Sequence, residues 1–389
     1  MKKSNSRSGK VLKYVLRSGL VFLTLLLAVI ISLYTVMFIL VNGPSDTART
    51  LFVRSVMETS AGKFLAHIYL SSDEIAEITA GSGGDDVIDE SSYEKIDSSL
   101  IHIPTAETTE DDISQDDMSE TTSLQDEKGA AVTDDAIVED EIDSQAGNDE
   151  SGDTTESTDG IEVVDIQGST YYGKMIIVSD PSRVKVATLE NYGEGYSGMT
   201  LAEFVEFYGA LGGINAGGFE DQNGTGTGAV PDGIVIRDGE IIWGEAETYY
   251  KCVVGFDSDN ILHVGNMTGA QALEDGIIDA LSFAGGPLLI VNGKAQNTSR
   301  NLGGGLNPRT AIGQRSDGAI LLLVINGRKA DSLGATYDDL VKEMLKYGAV
   351  NAANLDGGSS SLMIYDGEYI TTSSYLLGDR NLPNAFIFY

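Results

Sequence analysis

Ile234-Val-Ile-Arg-Asp-Gly-Glu-Ile-Ile-Trp243 places two short, mainly β-branched runs on either side of an Asp-Gly pair. Such a pair between apolar runs predicts a two-residue β-hairpin, because both residues tolerate the positive φ that the turn requires. The same arrangement recurs at Asn292-Gly293 and at Asp366-Gly367. The stretch therefore predicts antiparallel strand pairs joined by tight turns.

Only two helices are clearly marked in the same part of the chain. Thr200-Leu-Ala-Glu203 is a capping box, and Thr336-Tyr-Asp-Asp339 is a looser one with Asp in place of Glu or Gln. Gly209 and Gly348 follow at positions that can end these helices. Because strands dominate, we predict an α+β fold with a twisted, mainly antiparallel β-sheet and flanking helices.

The acidic charge of the chain is concentrated in its middle. Of the 389 residues, residues 1–70 carry 9 bases and 2 acids, and residues 71–160 carry 2 bases and 29 acids. Residues 161–389 carry 14 bases and 28 acids, and the formal net charge is −34. This excess of acids excludes a nucleic-acid binder, because phosphate backbones require a Lys/Arg surface. The single cysteine, Cys252, excludes an intrachain disulfide and a cysteine-cluster zinc site.

Residues 20–41 form a run of 22 residues without a charge. About 20 apolar residues span the hydrocarbon core of a bilayer as a helix. Six Lys or Arg residues and no acid precede the run, which predicts a cytoplasmic N-terminus and an extracellular C-terminal part. We therefore predict a single-pass, uncleaved signal anchor in the cell membrane. The alternative is a cleaved signal peptide, which the length of the run and the poor cleavage match at Asn42-Gly-Pro-Ser45 disfavour.

Composition divides the chain into five segments. Residues 79–160 are rich in Asp, Glu, Ser, Thr and Gly and cannot bury enough apolar surface to offset chain entropy, which predicts a disordered acidic linker. Residues 161–389 contain 35 of the 46 glycines and the only tryptophan, Trp243. The predicted segments are a basic cytoplasmic tail at 1–19, the transmembrane anchor at 20–41, a juxtamembrane helical stalk at 42–78, the linker at 79–160 and a folded domain at 161–389.

Four segments rich in Gly and polar residues lie at the ends of predicted strands. Glycines at such points let the backbone approach a ligand closely and present N–H groups. One such segment is equally well explained as a tight turn, whereas four together favour a polar pocket. The segments are residues 214–219, 284–287, 307–313 and 354–361.

The order and spacing of these motifs resemble the phosphodiester glycosidase domain family. The resemblance covers roughly residues 165–389. The chain departs from the family pattern at Asn326, where Asp is frequent, and at Ser359 and Leu362, where Gly and a hydroxyl residue are frequent. The motifs that carry the resemblance are Asn307-Pro-Arg-Thr-Ala-Ile-Gly313, Val324-Ile-Asn-Gly-Arg328, Gly334-Ala-Thr-Tyr-Asp-Asp-Leu340 and Asn354-Leu-Asp-Gly-Gly-Ser-Ser-Ser361, extended by residues 214–219, 285–293 and 379–385.

The resemblance implies hydrolysis of the bond between an anomeric carbon and a phosphate oxygen in sugar-1-phosphodiesters of cell-surface or exopolysaccharide material. Such a reaction requires carboxylates, for which Asp356 is the first choice. Glu220 is preferred as the second over Asp221 and Asp232. The anionic ester requires directional donors, since guanidinium groups bind phosphate through paired N–H bonds. The predicted binding residues are Arg309, Arg328, Arg380, Asn215, Asn307, Gly357, Gly358, Ser359 and Ser360.

The sequence leaves two other functions open and excludes a serine-hydrolase triad. A non-catalytic glycan-binding or exopolysaccharide assembly protein could use the same pocket, and a phosphodiesterase would cleave P–O instead of C–O. The serines 359–361 do not form a hydrolase triad, because no G-x-S-x-G elbow is present and only His263 lies in the folded part. No cofactor is predicted. A structural divalent cation near residues 220–224 is an alternative, although that stretch lacks EF-hand spacing.

Overall fold

The computed structural model describes residues 5–59, 62–80, 93–104, 156–221, 224–296, 304–374 and 378–389. Its helices fall into an N-terminal group of four and a later group of three that lie among the strands. In chain order they are α1 (Asn5–Asn42), α2 (Asp46–Met57), α3 (Phe64–His67), α4 (Ser72–Thr79), α5 (Leu201–Tyr208), α6 (Gly269–Glu274) and α7 (Tyr337–Lys346).

The strands of the described residues all lie after residue 155. In chain order they are β1 (Glu156–Thr158), β2 (Ile161–Gln167), β3 (Tyr172–Val178), β4 (Val184–Thr188), β5 (Gly212–Asn215), β6 (Val235–Arg237), β7 (Glu240–Trp243), β8 (Tyr249–Asp257), β9 (Leu262–Thr268), β10 (Ile277–Ser282), β11 (Leu288–Val291), β12 (Lys294–Ala295), β13 (Arg309–Arg315), β14 (Ile320–Ile325), β15 (Ala349–Leu355), β16 (Met363–Tyr365), β17 (Glu368–Tyr369) and β18 (Asn384–Phe388).

These strands form three antiparallel sheets, so the α+β prediction is confirmed but the single sheet is replaced by three. The largest sheet has the order β1-β2-β3-β14-β13-β15-β11-β12. The second has the order β7-β6-β10-β8-β9, and the third has the order β17-β16-β5-β18-β4. The predicted hairpins are confirmed, because β6–β7, β11–β12 and β16–β17 pair across their Asp-Gly or Asn-Gly turns.

The physical reason for three sheets is that the central strands are apolar on both faces. Every residue of β14 is buried, so this strand requires cover on each side. One core cluster joins inward-facing residues of all three sheets, including Ile312, Val254 and Phe386. The opposite faces are covered by α7 on the largest sheet, α6 on the second and α5 on the third.

Both predicted capping boxes are confirmed. The Thr200 hydroxyl accepts a hydrogen bond from the Glu203 N–H, and the Glu203 carboxylate accepts one from the Thr200 N–H. Thr336 and Asp339 make the same reciprocal pair at the start of α7. Gly209 ends α5 with a φ of 63°, a left-handed conformation that glycine adopts without steric cost.

The N-terminal helices form a small group of their own. Residues 12–42 of α1 are long and apolar enough to cross a membrane, as a signal sequence or an anchor would be. We call residues 46–59 and 62–79, which contain α2, α3 and α4, the helical module. The module packs on the last turns of α1 through a cluster that contains Val41, Val53, Ala66 and Leu70.

The region predicted as an acidic linker lies mostly outside the described residues. Within it, however, residues 93–104 are described and contact the folded domain. Ile96 and Ile101 are buried in the shared core, and Lys95 forms a 2.8 Å ion pair with Asp275. These isolated apolar residues in an otherwise polar stretch explain why this part of the region packs on the domain.

Candidate active site

A cavity of about 800 Å³ lies where strand ends of all three sheets meet. In antiparallel pairing, the start of β13 lies beside the ends of β14 and β15, which brings residues 309, 326–328 and 356 to one edge. From the third sheet, the segment after β5 supplies Gly218, Phe219 and Asp221, and the loop before β18 supplies Arg380. The predicted residues that line the cavity are Asn307, Arg309, Arg328, Asp356, Gly357, Gly358, Ser359, Ser360 and Arg380.

Asn215 connects the loops behind the cavity instead of lining it. Its side-chain amide donates to the Asp356 carbonyl oxygen at 2.6 Å. Its Oδ1 accepts from the Thr310 hydroxyl at 2.8 Å and from the Leu362 N–H at 3.1 Å. Asn215 is fully buried, so the structure gives it the position of a support for the strand ends rather than that of a ligand to a sugar.

Asp356 is held at the cavity wall by the glycine-rich loop that follows it. Its carboxylate accepts hydrogen bonds from the Ser360 hydroxyl and the Gly357 N–H, which favour the ionised form. Burial opposes them, and together with the negative charge of Asp232 it raises the pKa of Asp356 to about 7. Asp356 therefore combines a fixed position with a proton affinity far above that of an ordinary aspartate.

The loop amides have partners within the protein. The Gly357 N–H donates to the Asp356 carboxylate, and the Gly358 N–H donates to the Pro308 carbonyl at 2.9 Å. The Ser360 N–H donates to the Gly357 carbonyl at 3.2 Å. These three amides therefore shape the Asp356 loop, whereas the sequence analysis placed Gly357, Gly358 and Ser360 among the residues that bind the ligand.

Asp232 lines the cavity as Asp356 does, whereas the other two lining carboxylates, Glu58 and Asp221, are paired with arginines. Glu220 is exposed and is not among the lining residues. Burial raises the pKa of Asp232 to about 6, and the nearby charge of Glu220 contributes to this rise. Gly218 makes the placement sterically feasible, since a Cβ at that position would lie 2.4 Å from the Asp232 Oδ2. The geometry therefore brings Asp232, not Glu220, into the cavity with Asp356.

Two of the three predicted arginines are buried in ion pairs. Arg309 donates to a Glu58 carboxylate oxygen at 2.7 Å and lies over the Tyr337 ring at 4.0 Å. Arg380 donates to the Asp221 carboxylate at 2.8 Å and to the Ser359 hydroxyl at 3.2 Å. Their charges are largely balanced by the protein before any ligand binds.

Arg328 has a different environment. Its guanidinium donates from Nε and Nη2 to the Asn307 Oδ1 at 3.2 and 3.1 Å, and the side chain is exposed in the cavity. No carboxylate of the described residues forms an ion pair with it. Its backbone φ is 57°, a left-handed value that an arginine adopts only at a cost in free energy. The Arg328 guanidinium is therefore available to bind an anionic ligand.

Glu58 is a cavity residue that the sequence analysis did not identify. It comes from the helical module and accepts hydrogen bonds from the Gly305 N–H, the Asn307 amide and Arg309, at 2.8, 2.7 and 2.7 Å. One weak signal was available, because residues 1–70 contain only two acids and Glu58 is one of them.

The described residues hold no group of three or more His, Cys, Asp or Glu side chains arranged to bind a metal ion. The cavity instead combines two carboxylates of raised pKa, two ion pairs of buried arginines, and Arg328, which forms no ion pair with a carboxylate of the described residues. This set can hold an anion at Arg328 beside a carboxyl group that exchanges its proton near neutral pH.

The raised pKa of Asp356 predicts a pH-dependent effect of Asp356→Asn on stability. The folded-state pKa of about 7 lies above the ordinary value, so the stability that the protonated carboxyl contributes is complete below about pH 4. It is lost as the pH rises through 7. Relative to wild type, the free energy of unfolding of the asparagine variant should therefore rise from pH 4 to pH 8.

Urea unfolding followed by the fluorescence of Trp243 at pH 4, 6 and 8 measures this difference. Each unit of pKa difference corresponds to about 1.4 kcal/mol. Asp366→Asn, the same substitution in an exposed hairpin turn outside the cavity, is measured in parallel as the matched control. A pH-independent difference for Asp356→Asn would show that this carboxyl titrates normally.

Comparisons with known proteins identify the same part of the chain. Residues 208–389 match the family model described as phosphodiester glycosidase, which confirms the resemblance found in the sequence. The SPbeta prophage-derived uncharacterized protein YomE of Bacillus subtilis (strain 168) is 33% identical over 165 residues, which are 41% of this chain and 25% of that protein. The chain thus spans about a quarter of the length of this curated relative.

Two solved structures are also similar. The zebrafish N-acetylglucosamine-1-phosphodiester alpha-N-acetylglucosaminidase catalytic domain, auto-inhibited by its pro-peptide, is 21% identical with a TM-score of 0.47, covering 60% of this chain and 83% of that one. A hypothetical protein from Synechocystis is 16% identical with a TM-score of 0.46, covering 61% of this chain and 64% of that one.

Proposed function

Residues 208–389 are a phosphodiester glycosidase family domain, and from this premise we propose that the cavity hydrolyses the bond between a sugar's anomeric carbon and a phosphate oxygen. The family implies a sugar phosphodiester as substrate. The proposal rests on one observation: Asp356 and Asp232, two carboxyl groups of raised pKa, share a cavity with Arg328, whose guanidinium forms no ion pair with a carboxylate of the described residues.

Arg328 binds the phosphate in this proposal. A phosphodiester carries one negative charge, and a guanidinium can donate two parallel hydrogen bonds to its oxygens. Asn307 orients Arg328 by accepting from two of its nitrogens. The ion pairs of Arg309 and Arg380 hold the cavity walls around this anion site.

Asp356 and Asp232 perform the chemistry. Cleavage at an anomeric carbon passes through an oxocarbenium-like transition state that an ionised carboxylate stabilises, attacks or supplies with an activated water. The two groups interact, so their proton release belongs to the pair. Loss of a proton from either member of the pair supplies the carboxylate that the reaction requires.

The reaction consumes one water. A C–O bond forms between the anomeric carbon and the water oxygen, and the bond from that carbon to the phosphate oxygen breaks with its electron pair leaving on phosphate. The water proton passes to a carboxylate and then to solvent or to the phosphate monoester. Because the second pKa of a phosphate monoester is about 6, this leaving group departs as an anion without a strong acid.

We also propose that α1 is retained as a membrane anchor, with the domain outside the cell and acting on cell-surface or exopolysaccharide glycans. The length and apolar character of α1 support an anchor or a signal sequence. Its packing against the helical module, which contributes Glu58 to the cavity, supports retention.

The full chain in detergent micelles, incubated with a sugar-1-phosphodiester in ¹⁸O-labelled water, tests the activity. We expect free reducing sugar that carries the label at its anomeric oxygen and a phosphate monoester without it. Label in the phosphate would show a phosphodiesterase that cleaves P–O. Binding of the diester without any release would show a non-catalytic glycan-binding protein.

A further inference from the structure

One wall of the cavity is built by the helical module that follows α1. Met57, Glu58 and Lys63 line the cavity together with residues of the C-terminal domain. The module is attached there by the Glu58 contacts and by Ser55, whose hydroxyl accepts from the Leu306 N–H at 2.8 Å. Arg309 is only 4% exposed, so the domain side of its ion pair with Glu58 is buried, while the Glu58 side chain is 26% exposed.

The other side of the module is attached to α1. Val41 of α1 is 2% exposed and packs in the same cluster as Val53 and Ala66 of the module. The Tyr69 hydroxyl donates to the Tyr34 carbonyl at 2.9 Å, and the two rings lie 5.1 Å apart. A continuous set of contacts therefore runs from the apolar helix through the module to the cavity.

The distance along this connection is short. Three residues separate α1 from α2, and α2 contains 12 residues. At 1.5 Å per helical residue and at most about 3.6 Å per extended residue, Glu58 lies within roughly 30 Å of the end of α1. Glu58 therefore lies no farther from the end of α1 than about the thickness of the hydrocarbon core of a bilayer, roughly 30 Å.

Exposed apolar side chains lie beside the cavity wall. Phe64 is 62% exposed and Ile68 is 47% exposed, one helical turn apart at α3. Phe64 directly follows the cavity residue Lys63, and Ile68 directly precedes Tyr69, which contacts α1. Apolar residues that stay exposed next to a membrane helix are suited to the bilayer interface.

We propose that the substrate is a glycosyl phosphodiester whose second phosphate ester carries a lipid chain, and that the cavity receives it from the bilayer surface. This rests on the proposed function and names its substrate class. Phe64 and Ile68 insert into the interface and hold the cavity rim at the level of the lipid phosphates. Hydrolysis then leaves a lipid phosphate monoester in the membrane and releases the sugar to water.

The test uses the full chain reconstituted in phospholipid vesicles with two substrates of the same sugar. One is a polyprenyl phosphodiester of the sugar embedded in the vesicles, and the other is its water-soluble methyl phosphodiester. We expect wild type to cleave the lipid-linked diester at least tenfold faster at equal total concentration. The double variant Phe64→Ser/Ile68→Ser should lose this preference and keep its rate on the soluble diester within twofold.

Phe207→Ser is the matched control, since Phe207 is 60% exposed but lies on α5, outside the cavity lining. Its substrate preference should equal that of wild type. If wild type cleaves both diesters at equal rates, or if the double variant keeps the preference for the lipid-linked diester, the inference is overturned and the proposed function stands. Cleavage of neither diester would overturn the proposed function and the inference with it. If the protein purified from membranes has lost α1 by cleavage, the inference would also be overturned.

Discussion

Asp356→Asn in the full chain is expected to lower kcat for release of reducing sugar from a sugar-1-phosphodiester by about a thousandfold. Asparagine keeps the shape of the side chain and one of its two acceptor oxygens, so it can retain a hydrogen bond from the glycine-rich loop. It can neither ionise nor take a proton from water. The loss of kcat therefore measures the contribution of the charge and basicity of this carboxyl, separately from that of its position.

Two measurements separate this chemical effect from misfolding. At pH 8 the variant should be at least as stable as wild type, because it avoids the cost of an ionised carboxylate in the cavity. Binding of the phosphate monoester product, measured by calorimetry, should be retained or improved, since a negative charge near Arg328 has been removed. Asp366→Asn should keep full activity. A variant at Asp356 with more than a tenth of wild-type activity would remove this residue from the mechanism.

Asp232→Asn tests the role of the other cavity carboxyl of raised pKa. Removing the Asp232 charge should lower the pKa of Asp356, because that charge helps to raise it. Glu220→Gln should have a smaller effect, since Glu220 is exposed and outside the cavity lining and acts on Asp232 through charge alone. The two variants together decide which acid is the second catalytic carboxylate.

Local chemistry explains which parts of the fold were predictable. The capping boxes at Thr200 and Thr336 and the turn at Asp238-Gly239 depend on residues within four positions of one another, so the sequence displays them directly. The division into three sheets depends on pairings such as β3 with β14, which join residues about 150 positions apart. Alternation of apolar residues does not specify such partners, so a single sheet was expected.

The site residues were likewise predictable where they lie in local motifs and not where they come from distant parts of the chain. Asp356, Arg328 and Asn307 lie in Gly-rich motifs at strand ends, and antiparallel pairing brings those ends together. Glu58 joins them from 251 positions away from Arg309, outside every motif of the domain. In the sequence, adjacency to the 214–219 loop favours Glu220 over Asp232. In the structure, Gly218 leaves space for the Asp232 side chain.

Arg328 variants are expected to lower kcat/KM for the sugar phosphodiester by about a hundredfold, since removing one partner of a charged hydrogen-bonded contact costs about 2–5 kcal/mol. Arg328→Lys should recover part of the activity because lysine keeps the charge but cannot donate two parallel bonds. The inhibition constant of the phosphate monoester product should rise in both Arg328→Gly and Arg328→Lys. The inhibition constant of the free sugar should not change.

The backbone of Arg328 makes Arg328→Gly the most informative of these variants. At a φ of 57°, glycine avoids the steric cost that arginine bears, so the variant should melt at the same temperature as wild type or higher. Arg315→Ala removes an exposed ion pair with Asp317 and is the matched control, with full activity expected. A stable but inactive Arg328→Gly chain would show that the strained arginine is maintained for anion binding. A destabilised chain with normal product inhibition would assign Arg328 a structural role and would leave the phosphate without its proposed ligand.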